Sequence, residues 1–167
     1  ELGIPFDRVT KLASNENPLG PSPKAVMAMK KAAESAHLYP DGNGYYLKEK
    51  LAALHQLEPS QLILSNGSNE LIEWIGHVLL DNRSNIVVSQ YCFAIYPIVA
   101  AMFGAQSKIV PATDFGHDLE GMLQAVDAST KAVFVANPNN PTGTLVNAEA
   151  LRTFVSQIPS HALVVLD

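Results

Sequence analysis

From residue 62 to residue 167 the chain alternates short apolar runs with longer amphipathic stretches. The runs are Leu62-Ile63-Leu64, Asn85–Ser89, Ser107–Val110, Lys131–Ala136 and Ala162–Leu166. They are short and rich in β-branched residues, so they predict strands of a sheet buried on both faces. The stretches between them carry helical spacing. Leu71, Ile72, Ile75, Val78 and Leu79 follow Gly67-Ser68-Asn69-Glu70. Gln90–Pro97 leads into a helix through Ala101, and Asp118 caps a short helix running to Val126. Asn147 caps a helix whose inner face is Leu151, Phe154, Val155 and Ile158. Strand and helix in strict alternation imply right-handed crossovers and a parallel sheet, an α/β fold.

The first third reads differently. Residues 1–21 show no period, and Ser14-Asn15-Glu16-Asn17-Pro18-Leu19-Gly20-Pro21 predicts an extended arm. Ser22-Pro23 opens a helix. Its inward positions are Val26, Met29 and Ala33, and Lys24, Lys30, Lys31 and Glu34 face water. Tyr39-Pro40-Asp41-Gly42-Asn43-Gly44 is a hard turn, and Leu47, Leu51 and Leu54 then mark a second helix.

Composition narrows the function. The chain is 47% hydrophobic and 16% charged, which suits a globular domain. Its net charge is −5 with no long basic block, which argues against nucleic acid and anionic membrane surfaces as main partners. Cys92 is the single cysteine, so neither an internal disulfide nor a cysteine-based metal cluster can form. The five histidines show no metal-ligand spacing. No apolar run reaches membrane-spanning length and no signal peptide is visible, so a cytoplasmic location is expected. The sequence begins at Glu1 and stops at Asp167 on a strand-like run, which leads us to expect a fragment.

Two stretches carry candidate chemistry. Asn137-Pro138-Asn139-Asn140-Pro141-Thr142-Gly143 directly follows a predicted strand, where ligands of open α/β sheets bind. Asparagine there offers both a donor and an acceptor on a short side chain. Strand, Gly67, small polar residues, helix is the layout of an anion site, with backbone N–H groups and the helix dipole aimed at a phosphate. There is no Walker lysine and no Gly-x-Gly-x-x-Gly, so nucleoside triphosphate and dinucleotide readings lose ground.

Together these motifs resemble the fold-type I aminotransferases, which use pyridoxal 5′-phosphate (PLP). Within them the chain is most similar to the first half of the histidinol-phosphate aminotransferases. The resemblance implies an N-terminal arm with helices over residues 1–58 and part of the large PLP-binding domain over 59–167. It implies that Gly67, Ser68 and Asn69 cradle the cofactor phosphate. Phe93 would stack on the pyridine ring, with Tyr91 the alternative, because Gln90-Tyr91 stands where a proline is common. Asn140 would donate to the phenolic oxygen. Asp167 would pair with the pyridine nitrogen as a catalytic carboxylate, favouring the protonated ring. Asn15 and Asn17 would touch substrate from the arm. Tyr39 would reach the cofactor phosphate of a partner subunit, making the enzyme a homodimer. The implied reaction moves an amino group between L-histidinol phosphate and 2-oxoglutarate, in histidine biosynthesis. Threonine-phosphate decarboxylation and aromatic amino-acid transamination are the alternatives, as is a non-catalytic binding module. The family's Schiff-base lysine is expected downstream of Asp167, and none of the chain's lysines matches its motif.

Overall fold

The computed structural model describes residues 3–5, 8–12 and 14–167. Residues 1, 2, 6, 7 and 13 of the predicted arm lie outside the described residues. The chain divides into two compact units, Glu1–Leu62 and Ile63–Asp167.

The first unit holds α1 (Pro23–Ala33), α2 (Tyr45–His55) and a 3-10 turn (Pro59–Gln61) packed on α2. Ser22 stands at the N-cap of α1 with no side-chain cap bond, and Pro23 takes the first turn. The hard turn before α2 is set by Asp41, whose carboxylate accepts from the N–H groups of Asn43 (3.2 Å) and Tyr45 (2.6 Å). Those two bonds, the Tyr45 one foremost, hold the Asp41 carboxyl below its usual value. The inward faces expected here are not buried. Val26 is half-buried, whereas Met29, Leu47 and Leu54 are exposed and only Ala52 of α2 is buried. Periodicity marks a face that needs a cover, but does not say what supplies it.

The second unit is a three-layer α/β/α sandwich. Its strands are β1 (Asn85–Ser89), β2 (Gln106–Val110), β3 (Thr130–Val135) and β4 (Leu163–Leu166). All pair in parallel, in the order β2-β1-β3-β4. The expected strand at Leu62-Ile63-Leu64 does not form; Ile63 is exposed and the segment is irregular. Three apolar residues make a strand only where another strand receives their hydrogen bonds. The helices are α3 (Ser68–Leu79), α4 (Ile95–Met102), α5 (Leu119–Ala125) and α6 (Ala148–Gln157). Side chains alternate across the sheet, as the strand period requires. Ile86, Val88, Ala132 and Phe134 join Ile72 of α3 and Tyr96, Val99 and Ala100 of α4 on one face. Val87, Val133 and Val135 join Met122 of α5 and Phe154 of α6 on the other. Asp118 and Asn147 cap α5 and α6 as expected, accepting from Gly121 (2.9 Å) and Ala150 (2.8 Å).

The strand order places the site. From β1 the chain moves outward to β2, then returns past β1 to β3 and continues to β4. The direction of winding reverses between β1 and β3, which opens a crevice at their carboxyl ends. Helix α3 packs against α4, and its Ile72 joins the core on the α4 face of the sheet.

Candidate active site

Three loops leave the carboxyl edge. The first, from β1, carries Gln90–Ala94; the last, from β3, carries Ala136–Asn147. Between them runs the loop after β2. The Gln90 N–H donates to the Val110 carbonyl (2.8 Å), and its side-chain oxygen accepts from the Ala112 N–H (3.2 Å). A proline at 90 could make neither the backbone bond nor the side-chain one, which gives a physical reason for glutamine at this position.

The Asn-Pro string folds as a knot of internal bonds, with cis peptides at Asn137-Pro138 and Asn140-Pro141. The Asn137 side chain pairs with Val146 in both directions, accepting from its N–H (2.8 Å) and donating to its carbonyl (3.0 Å). Asn139 is buried; its amide donates to the Tyr91 carbonyl (3.0 Å) and the Thr142 hydroxyl (2.7 Å). This ties the β3 loop to the β1 loop across the crevice. Its Oδ1 is buried without a hydrogen-bond partner among the described residues. The Asn140 side chain, half-buried, takes part in none of the bonds that close the loop among the described residues. Of three asparagines, two hold the backbone and the side chain of the third is uncommitted among the described residues.

Asp167 continues the β3–β4 ladder. Its N–H donates to Val135 (3.0 Å) and its carbonyl accepts from Asn137 (2.9 Å), which sets it beside the Asn-Pro loop. Its Oδ2 accepts a short 2.5 Å bond from the Tyr96 hydroxyl. Tyr96 is only 1% exposed, stacked on Phe134 with centroids 4.6 Å apart. Burial, reinforced by the Asp167 carboxylate, pushes its phenol far above the usual range. Phe93 meets the Tyr96 ring edge-on at 5.9 Å and is half-buried. Tyr91 instead turns toward Phe115, 5.7 Å away, and is more exposed. Phe93, rather than Tyr91, therefore shares a cluster with Asp167. Cys92, between them, is half-buried and its thiol is pushed up by desolvation.

At the start of α3, Gly67 is the N-cap residue with φ +99°, a conformation open mainly to glycine, and no side chain caps the helix. A Cβ built on Gly67 would meet nothing within 4 Å. Glu70 turns back to accept from the Asn66 N–H (2.6 Å), away from the first-turn amides of Ser68 and Asn69. A simple Ser cap is thus not what forms here; the N–H groups of the first turn carry no side-chain cap.

Asn15, Asn17 and Tyr39 belong to the first unit. Asn17 is engaged in its own turn, donating to the Gly20 carbonyl (3.3 Å) and accepting from the Leu19 N–H (3.0 Å). Asn15 is exposed, and Tyr39 is fully exposed at 102%. Sequence reasoning missed Tyr96, read only as part of a helix start. The signal was the Phe93-x-x-Tyr96 spacing across the entry to α4, which brings the two rings edge-on to each other.

Comparison with known proteins places the chain among characterised relatives. Residues 7–167 match the family model described as aminotransferase class I and II. The chain belongs to this family. All of it aligns at 51% identity with histidinol-phosphate aminotransferase 2 of Pseudomonas fluorescens (strain Pf0-1), covering 45% of that protein. A histidinol-phosphate aminotransferase of Idiomarina loihiensis is 47% identical over the same span and again 45% covered. The chain therefore spans a little under half the length of these relatives. The crystal structure of histidinol-phosphate aminotransferase from Sinorhizobium meliloti in complex with PLP superposes with a TM-score of 0.88 at 30% identity. It covers 92% of this chain and 42% of that one. An aspartate aminotransferase of Thermus thermophilus, 22% identical with a TM-score of 0.85, shares the fold. The architecture is that of the fold-type I aminotransferases, and the chain carries part of it.

Proposed function

We propose that the protein containing this chain is a PLP-dependent aminotransferase that exchanges an amino group between L-histidinol phosphate and 2-oxoglutarate, in histidine biosynthesis. The observation that carries the substrate reading is the 51% identity, over the whole chain, with a histidinol-phosphate aminotransferase. The cofactor reading rests on the residues themselves. The uncapped helix start at Gly67, Ser68 and Asn69 suits a phosphate, because free N–H groups and the helix dipole favour an anion there. The open space at Gly67 admits one. Asp167 keeps one carboxylate oxygen free of Tyr96, suited to hold a protonated ring nitrogen. Phe93 supplies a flat wall and Asn140 an uncommitted amide for a phenolic oxygen.

When bound, PLP supplies an electron sink for charge developing at the substrate Cα. Everything else falls to the protein. Asp167 keeps the ring nitrogen protonated, Asn139 and Asn137 fix the loop that presents Asn140, and α3 anchors the anion. Lys108 does not compete for this chemistry, because its ammonium is held by Asp127 (2.6 Å) and the Ala125 carbonyl (2.9 Å).

In the same reading Asn15 and Asn17 contact substrate, and Tyr39 serves the cofactor phosphate of the other subunit of a homodimer. Support comes from the full exposure of Tyr39, a ring with an apolar body and a polar tip. A cytoplasmic location is part of the proposal, supported by a composition with one cysteine.

The test is the visible absorption of the intact protein with PLP, before and after L-histidinol phosphate. A cofactor band that bleaches on addition is the expected result. A band indifferent to histidinol phosphate would move the substrate to threonine phosphate or an aromatic amino acid. A protein with no band would overturn the cofactor reading.

A further inference from the structure

We infer that Tyr96 is the positioning residue of the site, fixing the Asp167 carboxylate and the Phe93 ring through one buried side chain. This inference rests on the PLP reading of the site. The backbone pairing of Asp167 with Val135 and Asn137 fixes its Cα but leaves its carboxylate free to turn. The Tyr96 hydroxyl removes that freedom, donating to Oδ2 at 2.5 Å. The donor itself cannot wander. Its ring is 1% exposed, stacked on Phe134 of β3 and lodged in the core between α3, α4 and the sheet. The bond joins residues 71 apart in sequence, from the first turn of α4 to the end of β4.

Three consequences follow. Oδ2 is occupied, so the carboxylate presents Oδ1 to a ligand. The phenol stays protonated at any working pH, so the bond always has the same donor and the same direction. Finally, Phe93 rests edge-on against the same ring, so the stacking wall and the carboxylate share one support. A change at Tyr96 disturbs both together.

The experiment uses the intact protein and Tyr96→Phe, which keeps the ring and its stacking and removes one oxygen. Expected for the variant are PLP binding about tenfold weaker, as for the loss of one bond to a charged group, and a kcat about tenfold lower at unchanged KM. The pH at which the bound cofactor changes its visible absorption should move by about one unit, because the carboxylate beside the ring nitrogen has lost a hydrogen bond that stabilises its charge. Tyr96→His keeps a ring donor and should restore most of that pH midpoint; it also decides the matter should Tyr96→Phe fail to fold. A lower thermal midpoint of the apoprotein with unchanged PLP affinity and pH midpoint would reduce Tyr96 to core packing and overturn the inference. So would a folded Tyr96→His that shifts the midpoint as far as Tyr96→Phe. A wild-type protein that binds no PLP would be a separate outcome, sinking the cofactor reading and this inference with it.

Discussion

The two ends of the sheet carry polar networks of similar size, built for opposite purposes. At the amino end, Asp127 is saturated. Its Oδ1 accepts from Asn85 Nδ2 (3.0 Å) and the Ser129 N–H (2.9 Å), and its Oδ2 from Lys108 (2.6 Å). Its N–H donates to Thr130 (2.9 Å), whose hydroxyl donates to Asn85 Oδ1 (2.7 Å). His161 Nε2 donates to its carbonyl (3.0 Å). Each partner is within the chain, and the network pins β1, β2, β3 and the turn before β4. At the carboxyl end the bonds instead stop short. The first turn of α3 has no cap, Asn139 Oδ1 has no partner, and Asn140 is unengaged. A network that closes on itself gives stability; one that leaves polar groups unpaired is prepared for something else.

The contrast is sharpest in its largest expected effect. Asp167→Asn in the intact protein should lower kcat by about 100-fold or more, the scale of one charge-assisted interaction made to a reacting ring. Its thermal midpoint without cofactor should stay close to wild type. A large loss of stability with activity retained would reverse the roles assigned to the two ends. At the amino end, Asn85→Ala should cost about 2–3 kcal/mol, because it leaves the buried Thr130 hydroxyl only the longer bond to Asp127 Oδ1 (3.2 Å) and removes a donor from Asp127. Denaturant unfolding of the intact protein would measure it, and PLP affinity should not change. Gly67→Ala falls between the two patterns. Its backbone, at φ +99°, strains any side chain, for about 1–2 kcal/mol, while the methyl meets no neighbour. We expect phosphate-bearing ligands to bind about tenfold more weakly through the displaced helix start, a cost in the range of one lost hydrogen bond. Inorganic phosphate competition against PLP reads that effect separately from stability.

How much of this was legible beforehand depends on how local each signal is. Strands β1 and β3 are buried along nearly their whole length, so unbroken apolar runs announced them. Asp118 and Asn147 announced their caps because a cap bond spans three residues. Signals that depend on distant partners were not readable. Leu62-Ile63-Leu64 has strand composition without a receiving strand. The apolar stripes of α1 and α2 do not say what covers them. Among three asparagines in one loop, only the bonds of Asn137 to Val146 and of Asn139 to Tyr91 single out Asn140. Tyr96 meets Asp167 across 71 residues, and nothing in either neighbourhood names the other.

The smallest effect concerns acid. Asp127 is held well below its ordinary value of 3.8, first by the Lys108 ammonium and then by Asn85. In the unfolded chain it titrates near that ordinary value, so as pH falls below it the unfolded state takes up the proton first. Stability then falls with pH, and the loss is complete only below the lower folded value. The contribution of Asp127 is thus fully present above about pH 4 and drains away beneath it. Asp127→Asn has no such proton to gain. Its thermal midpoint should lie below wild type near neutrality, and the two curves should approach each other as the pH drops from 4 toward 2. Because the pair is half-exposed, added salt should narrow the gap at neutral pH as well. Curves that run parallel down to pH 2 would show that the closed network at the amino end draws its strength from Asn85 and Thr130 alone, with the Lys108–Asp127 pair a bystander within it.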